Sequence, residues 1–157
     1  MQTSAETLAE SIGTIVERHG RREGPLLPIL HDVQEEFGHI PADALPVIAK
    51  ALNLSRAEVH GVVSFYHDYR AEPAGRHVLK VCRAEACQSM GSEALAAQIE
   101  RELGVAFGGT SADGSVTLEK VYCLGLCACA PAAMLDGKVI GRLDGRKVEA
   151  IARTVRA

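Results

Sequence analysis

Four cysteines in two close pairs, each pair directly after an apolar strand-like run, constrain this chain more than any other feature. Cys82 and Cys87 follow His77–Val81 at C-x4-C spacing, and Cys123 and Cys127 follow Val116–Tyr122 at C-x3-C spacing. Loops that leave the same edge of a sheet can converge, so a fold that brings the two loops together is expected. The fifth cysteine, Cys129, lies beside the second pair. In a reducing compartment such clustering points to a metal or redox site rather than to a disulfide framework.

The first half reads as helices with firm punctuation. Leu8, Ile12, Ile15, Val16 and His19 recur at helical spacing up to Gly20, and Leu26, Leu30, Val33 and Phe37 do so between Gly24-Pro25 and Gly38. Gly38 suits a left-handed C-cap. A third helix is predicted from about Asp43 to Leu52, with Pro46 tolerated in its first turn and Asn53 as its stop. Ser55 and Glu58 match a capping box opening a fourth, short helix through Val59, Val62 and Val63. This pair of helices has one cation, Arg56, at the start of the second, which is too few for a DNA-reading helix-turn-helix.

The polar stretch Tyr69–Gly75, with Pro73 and Gly75, is the best domain boundary, giving a helical region 1–72 and a second domain 76–157. There the period changes. A strand over His77–Val81 leads to a helix that Ser92 caps, with Leu95, Ile99 and Leu103 on its inner face. A second strand, Val116–Tyr122, precedes a hairpin of Ala132–Leu135 and Lys138–Gly141 around Asp136-Gly137, and Val148, Ile151 and Val155 mark a closing helix. The predicted fold class is α+β: an N-terminal helical bundle followed by a small α/β sandwich of thioredoxin type, with helices on a mixed sheet.

With 157 residues, 47% of them apolar, the chain has room for a real core. Its formal charge of -3 is spread without a basic block, which argues against nucleic acid as a partner. The start, Met1–Glu6, has no basic n-region, and no stretch approaches the length of a membrane span, so a cytoplasmic protein without membrane insertion is expected.

Four thiolates, two for each iron, are what a 2Fe-2S cluster needs, and Cys82, Cys87, Cys123 and Cys127 supply them. A structural zinc site uses the same ligand type, usually on shorter C-x2-C turns, and would make the chain a zinc-stabilised interaction module. A dithiol oxidoreductase would call for C-x-x-C, which does not occur. Buried cysteines packing as small hydrophobes remain the plainest alternative. Gly91 and Gly125 are placed to let backbone N–H groups approach sulfur, and Arg83, Glu85, Gln88 and Lys120 flank the loops as tuning groups or as ordinary solvated side chains. His31, His39, His60, His67 and His77 show no metal-ligand spacing and read as surface or hydrogen-bonding histidines. Phe65 and Tyr66 are expected to serve docking or, preferentially, packing.

Cys123-Leu124-Gly125-Leu126-Cys127-Ala128-Cys129-Ala130-Pro131, with C-x4-C upstream and the Gly137 hairpin downstream, resembles the thioredoxin-like 2Fe-2S subunit of complex I. Phe37-Gly38-His39-Ile40-Pro41, Leu54-Ser55 through Val59, and Gly61–Tyr66 resemble the helical region that precedes the cluster domain in that family. The resemblance covers about residues 25–145. The loop Cys82–Gly91 differs from the Gly-Thr-rich loop of complex I and looks more like the gamma subunit of soluble, molybdenum-containing, NAD-dependent formate dehydrogenase. Diaphorase subunits of NAD-reducing hydrogenases are similar too.

The resemblance implies an electron-transfer subunit with one 2Fe-2S cluster and no substrate site of its own. It implies a flavin- and NADH-binding partner that holds FMN and NAD, in agreement with the lack of a Gly-x-Gly-x-x-Gly fingerprint here, and through it a molybdenum-containing catalytic subunit. The isolated chain is allowed to pair as a homodimer. Cys129 is an extra thiol relative to the four-cysteine pattern and is expected to neighbour the cluster without ligating it.

Overall fold

A computed structural model describes residues 5–157, so the first four residues of the N-terminal reading lie outside it. The chain divides into two compact units, Met1–Pro73 and Ala74–Ala157.

The first unit is built from α1 (Ala5–His19), α2 (Leu26–Phe37), α3 (Ala44–Leu52) and α4 (Arg56–Phe65). The stops fall where local chemistry puts them. Gly38 and Asn53 both adopt left-handed conformations that close α2 and α3 by backbone N–H bonds to the preceding turn. Both halves of the capping box are formed at α4: the Ser55 side chain accepts from the Glu58 N–H and the Glu58 carboxylate from the Ser55 N–H. Leu8, Ile12 and Ile15 on α1 pack with Ile29, Leu30 and Val33 of α2, Ile48 of α3 and Val59 of α4 in one core. His19, on the same stripe of α1, is buried too, and its Nε2 lies 2.7 Å from an Asp32 carboxylate oxygen.

The second unit is a four-stranded sheet with order β2-β1-β3-β4, made of β1 (His77–Cys82), β2 (Val116–Val121), β3 (Ala133–Leu135) and β4 (Lys138–Ile140). β1 pairs parallel with β2 and antiparallel with β3, which makes β1 central. The hairpin turn has positive φ at both Asp136 (49°) and Gly137 (78°), as a two-residue type I′ turn requires. The Asp136 carboxylate then accepts from the Val78 N–H at 2.8 Å and contacts His77 Nδ1 at 2.7 Å, tying the turn back to β1.

Helices α6 (Ser92–Leu103) and α7 (Gly145–Arg156) follow the strands, and their apolar stripes close one core: Ile99 with Val148, Ile151 and Val155 against Leu79, Val81, Val116 and Leu118. Parallel β1 and β2 need a crossover, and α6 provides it. Two readings of this region change. A five-residue helix, α5 (Glu85–Ser89), occupies the C-x4-C loop, and the N-cap of α6 is Gly91 at φ +85°, not Ser92. Ser92 is the first helical residue, and its hydroxyl is buried without a hydrogen-bond partner.

Candidate metal centre

The sheet brings both cysteine loops to one end. β1 and β2 run parallel, with Cys82 opposite Val121, so the loops leaving their C-terminal ends start as neighbours. The Arg83 N–H donates to the Val121 carbonyl at 2.8 Å, extending that pairing into the loops themselves. Cys82 and Cys87 share a small buried cluster with Ala132, against which Val121, Leu124 and Leu126 pack.

All four thiols expected as ligands are brought into this region in two pairs. The Cys123 and Cys127 Sγ atoms are 3.7 Å apart, and the Cys82 and Cys87 side chains contact each other. The pairs differ in exposure: Cys82 and Cys87 are buried, Cys123 and Cys127 open to solvent. Among the described residues no three His, Cys, Asp or Glu side chains gather as ligands of a single ion would. Two pairs of thiols are the ligand pattern of a core with two irons, two sulfurs for each.

Backbone donors and neighbouring thiols act on the sulfurs in opposite directions. Burial pushes the Cys82 thiol up, but N–H donors from Ala84, Cys123 and Leu124, with the Cys87 thiol, outweigh it and hold Cys82 below the ordinary cysteine value. Two of those donors come from the opposite loop, so the Cys82 sulfur itself joins the loops. Burial and the neighbouring Cys82 raise Cys87, against which the Ala132 N–H acts in the other direction. Contact with Cys123 raises Cys127. Each pair of sulfurs is in contact and has backbone donors aimed at it, as ligands of an iron–sulfur core would. The donor set therefore fits the cluster.

Gly125 does what its position suggested: at φ +76° it turns its N–H onto Cys123 Sγ at 3.3 Å. Gly91 does not, since its N–H donates to the Gln88 carbonyl at 2.9 Å. Cys123 itself sits at φ +98°, a conformation a side chain adopts only when its surroundings hold it there.

Of the flanking polar residues, Glu85 and Lys120 are exposed, whereas Arg83 and Gln88 are engaged. Glu93 and Phe107, which meet the Arg83 side chain, and Ala132, which donates to Cys87, carried no sequence signal because each contact is made by the fold and not by neighbouring residues of the chain. Cys129 is half-buried, and its carbonyl accepts from the Arg142 N–H at 2.6 Å. Next to the open pair, Tyr122 is 67% exposed, and Met90, just after α5, is 62% exposed. In the first unit Phe65 (73%) and Tyr66 (44%) are exposed, so the preference for packing is corrected for Phe65, whereas Tyr66 meets the rings of both Phe65 and Tyr69 edge-on.

The sequence model for thioredoxin-like 2Fe-2S ferredoxins matches residues 12–156. A subunit of NADH-quinone oxidoreductase from Rhizobium meliloti is 35% identical over 151 residues, covering 96% of this chain and 90% of the relative. The alpha subunit of NAD-reducing hydrogenase HoxS from Cupriavidus necator is 36% identical over 137 residues, 87% of this chain but 23% of that longer one. A crystal structure of NAD+-reducing NiFe hydrogenase in the H2-reduced state superposes with a TM-score of 0.73 at 26% identity, over 83% of this chain and 22% of that one.

Proposed function

The chain belongs to the thioredoxin-like 2Fe-2S ferredoxin family and has one 2Fe-2S cluster as its cofactor, and from that premise we propose that Cys82, Cys87, Cys123 and Cys127 ligate it within an NAD-dependent formate dehydrogenase. When bound, such a cluster takes up and releases single electrons, which links the two-electron chemistry of nicotinamide and flavin to one-electron carriers. The observation that carries the ligand assignment is the meeting of two cysteine pairs on loops joined by N–H donors from Cys123 and Leu124 to Cys82.

The chain's own residues provide a buried half, Cys82 and Cys87, anchored in the sheet, and an open half, Cys123 and Cys127, flanked by exposed Tyr122. The nine residues from Cys123 to Pro131 contain no charge. An open, uncharged surface at a redox centre suits close approach of a partner, because electron transfer needs proximity and a charged rim would cost desolvation. The partner proposed is a subunit that binds FMN and NADH, itself joined to a molybdenum-containing catalytic subunit. Among the described residues no helix is long and apolar enough to cross a membrane, which is compatible with the cytoplasmic setting proposed.

The loop Cys82-Arg83-Ala84-Glu85-Ala86-Cys87-Gln88-Ser89-Met90-Gly91 supports formate dehydrogenase through its resemblance to the gamma subunit. The equivalent subunit of complex I or of a hydrogenase diaphorase is the second reading, favoured by the relatives of those two kinds. Gentle affinity purification of the tagged chain from its own cell, with assay of FMN, molybdenum and nickel and of NAD+ reduction, separates them. Co-purified FMN and molybdenum with formate-dependent NAD+ reduction is expected. Nickel with hydrogen-dependent activity, or a membrane quinone reductase without molybdenum, would replace this parent enzyme by the second reading.

A further inference from the structure

We propose that Arg83 and Glu93 form a charge-compensated clamp that holds the first cysteine loop while keeping either charge alone from shifting the reduction potential of the cluster; the inference rests on the ligand assignment above. Arg83 directly follows Cys82, and its backbone N–H, its carbonyl and its guanidinium are each engaged. Its backbone N–H donates to the Val121 carbonyl at 2.8 Å, and its carbonyl accepts from Gln88 Nε2 at 2.7 Å, closing the loop that contains Cys87. Its guanidinium grips both oxygens of Glu93 in the first turn of α6, Nε to Oε1 at 3.0 Å and Nη2 to Oε2 at 2.5 Å. The same group lies 5.3 Å from the Phe107 ring centroid. Only an arginine combines a two-pronged carboxylate grip with stacking on an aromatic face.

The arrangement has an electrostatic consequence that a purely mechanical brace lacks. Reduction adds one negative charge to the cluster, so a nearby cation stabilises the reduced form and a nearby anion opposes it. Paired, Arg83 and Glu93 largely cancel. Alone, each acts with its own sign: Glu93→Gln unmasks the cation and raises the potential, whereas Arg83→Gln unmasks the carboxylate and lowers it. The Arg83 side chain is 22% exposed and that of Glu93 58%, so solvent screens the effect without abolishing it.

The test is an anaerobic redox titration of the full-length, cluster-loaded chain, followed by EPR and visible absorption, with iron and sulfide assayed on each sample. Relative to wild type, the reduced-to-oxidised ratio at a fixed potential should rise about threefold in Glu93→Gln and fall about threefold in Arg83→Gln, or ~28 mV each way for a one-electron couple. Arg83→Gln/Glu93→Gln should return toward wild type, and Arg83→Lys, which keeps the charge, should stay close to it. Shifts of the same sign in both single variants, or none, would overturn the proposal and leave a brace only. If Arg83→Gln loses its cluster, the sign of the Glu93→Gln shift decides. A wild-type chain without iron and sulfide would instead overturn the ligand assignment, and this inference with it.

Discussion

Gly141→Ala tests whether β4 and the second cysteine loop are packed as tightly as the structure shows. A Cβ built on Gly141 would meet the Cys129 Cβ at 2.8 Å and the Cys129 carbonyl oxygen at 3.2 Å. Ordinary carbon contacts begin near 3.4 Å, so the loop must retreat by about 0.6 Å, and the short Arg142 N–H bond to the Cys129 carbonyl resists that movement. Overpacking of this kind costs about 1–3 kcal/mol. Because Cys127 is two residues from Cys129, the displacement should also reduce cluster content. Urea denaturation of the cluster-free chain measures the first effect, and iron and sulfide assay the second. A Cys129→Gly/Gly141→Ala double variant removes one of the clashing carbons and should recover about 1 kcal/mol relative to the sum of the single changes. Wild-type stability and cluster content in Gly141→Ala would refute the packing argument.

Cys82→Ser and Cys123→Ser should each lose most of the cluster absorbance while Cys129→Ser retains it; full retention in either of the first two would move the ligand set. Ile99→Ala, at a fully buried position where α6 meets α7 and the sheet, should lower stability by about 2–5 kcal/mol in chemical denaturation, and a loss below about 1 kcal/mol would deny it a core role. The Asp32 carboxyl is held below its ordinary 3.8, chiefly by the His19 hydrogen bond and, once its burial is overcome, by Arg18. A depressed folded value means this stabilisation is present above the unfolded value and is lost as pH falls through the folded one. Asp32→Asn should therefore flatten the stability profile of the first unit on the acid side, and an unchanged acid limb would remove Asp32 from the account.

Much of this architecture was legible because local rules decide it. The Gly38 and Asn53 stops, the Ser55/Glu58 capping box and the Asp136-Gly137 turn each follow from a few adjacent residues, and the structure realises each one. The placing of both cysteine pairs after strands was equally readable, because apolar runs and cysteines are visible in order. What escaped depends on pairing across the chain. The order of elements does not say that β1 is central, and that placement is what lets Ala132 N–H reach Cys87 and Val121 carbonyl reach Arg83. Ser92 looked like a cap because serine is a common one, but the chain turns at Gly91 and buries the hydroxyl instead. For Arg83 the sequence leaves a tuning group and a solvated side chain both open, and neither reading includes the Glu93 and Phe107 contacts that the fold makes.

The most direct test of the central claim is metal and sulfide analysis of the anaerobically purified chain, joined to EPR before and after dithionite reduction. The account predicts about two irons and two sulfides per chain, with an EPR signal that appears on reduction. A colourless chain holding one tightly bound zinc, with neither sulfide nor a reduced-state signal, would contradict it.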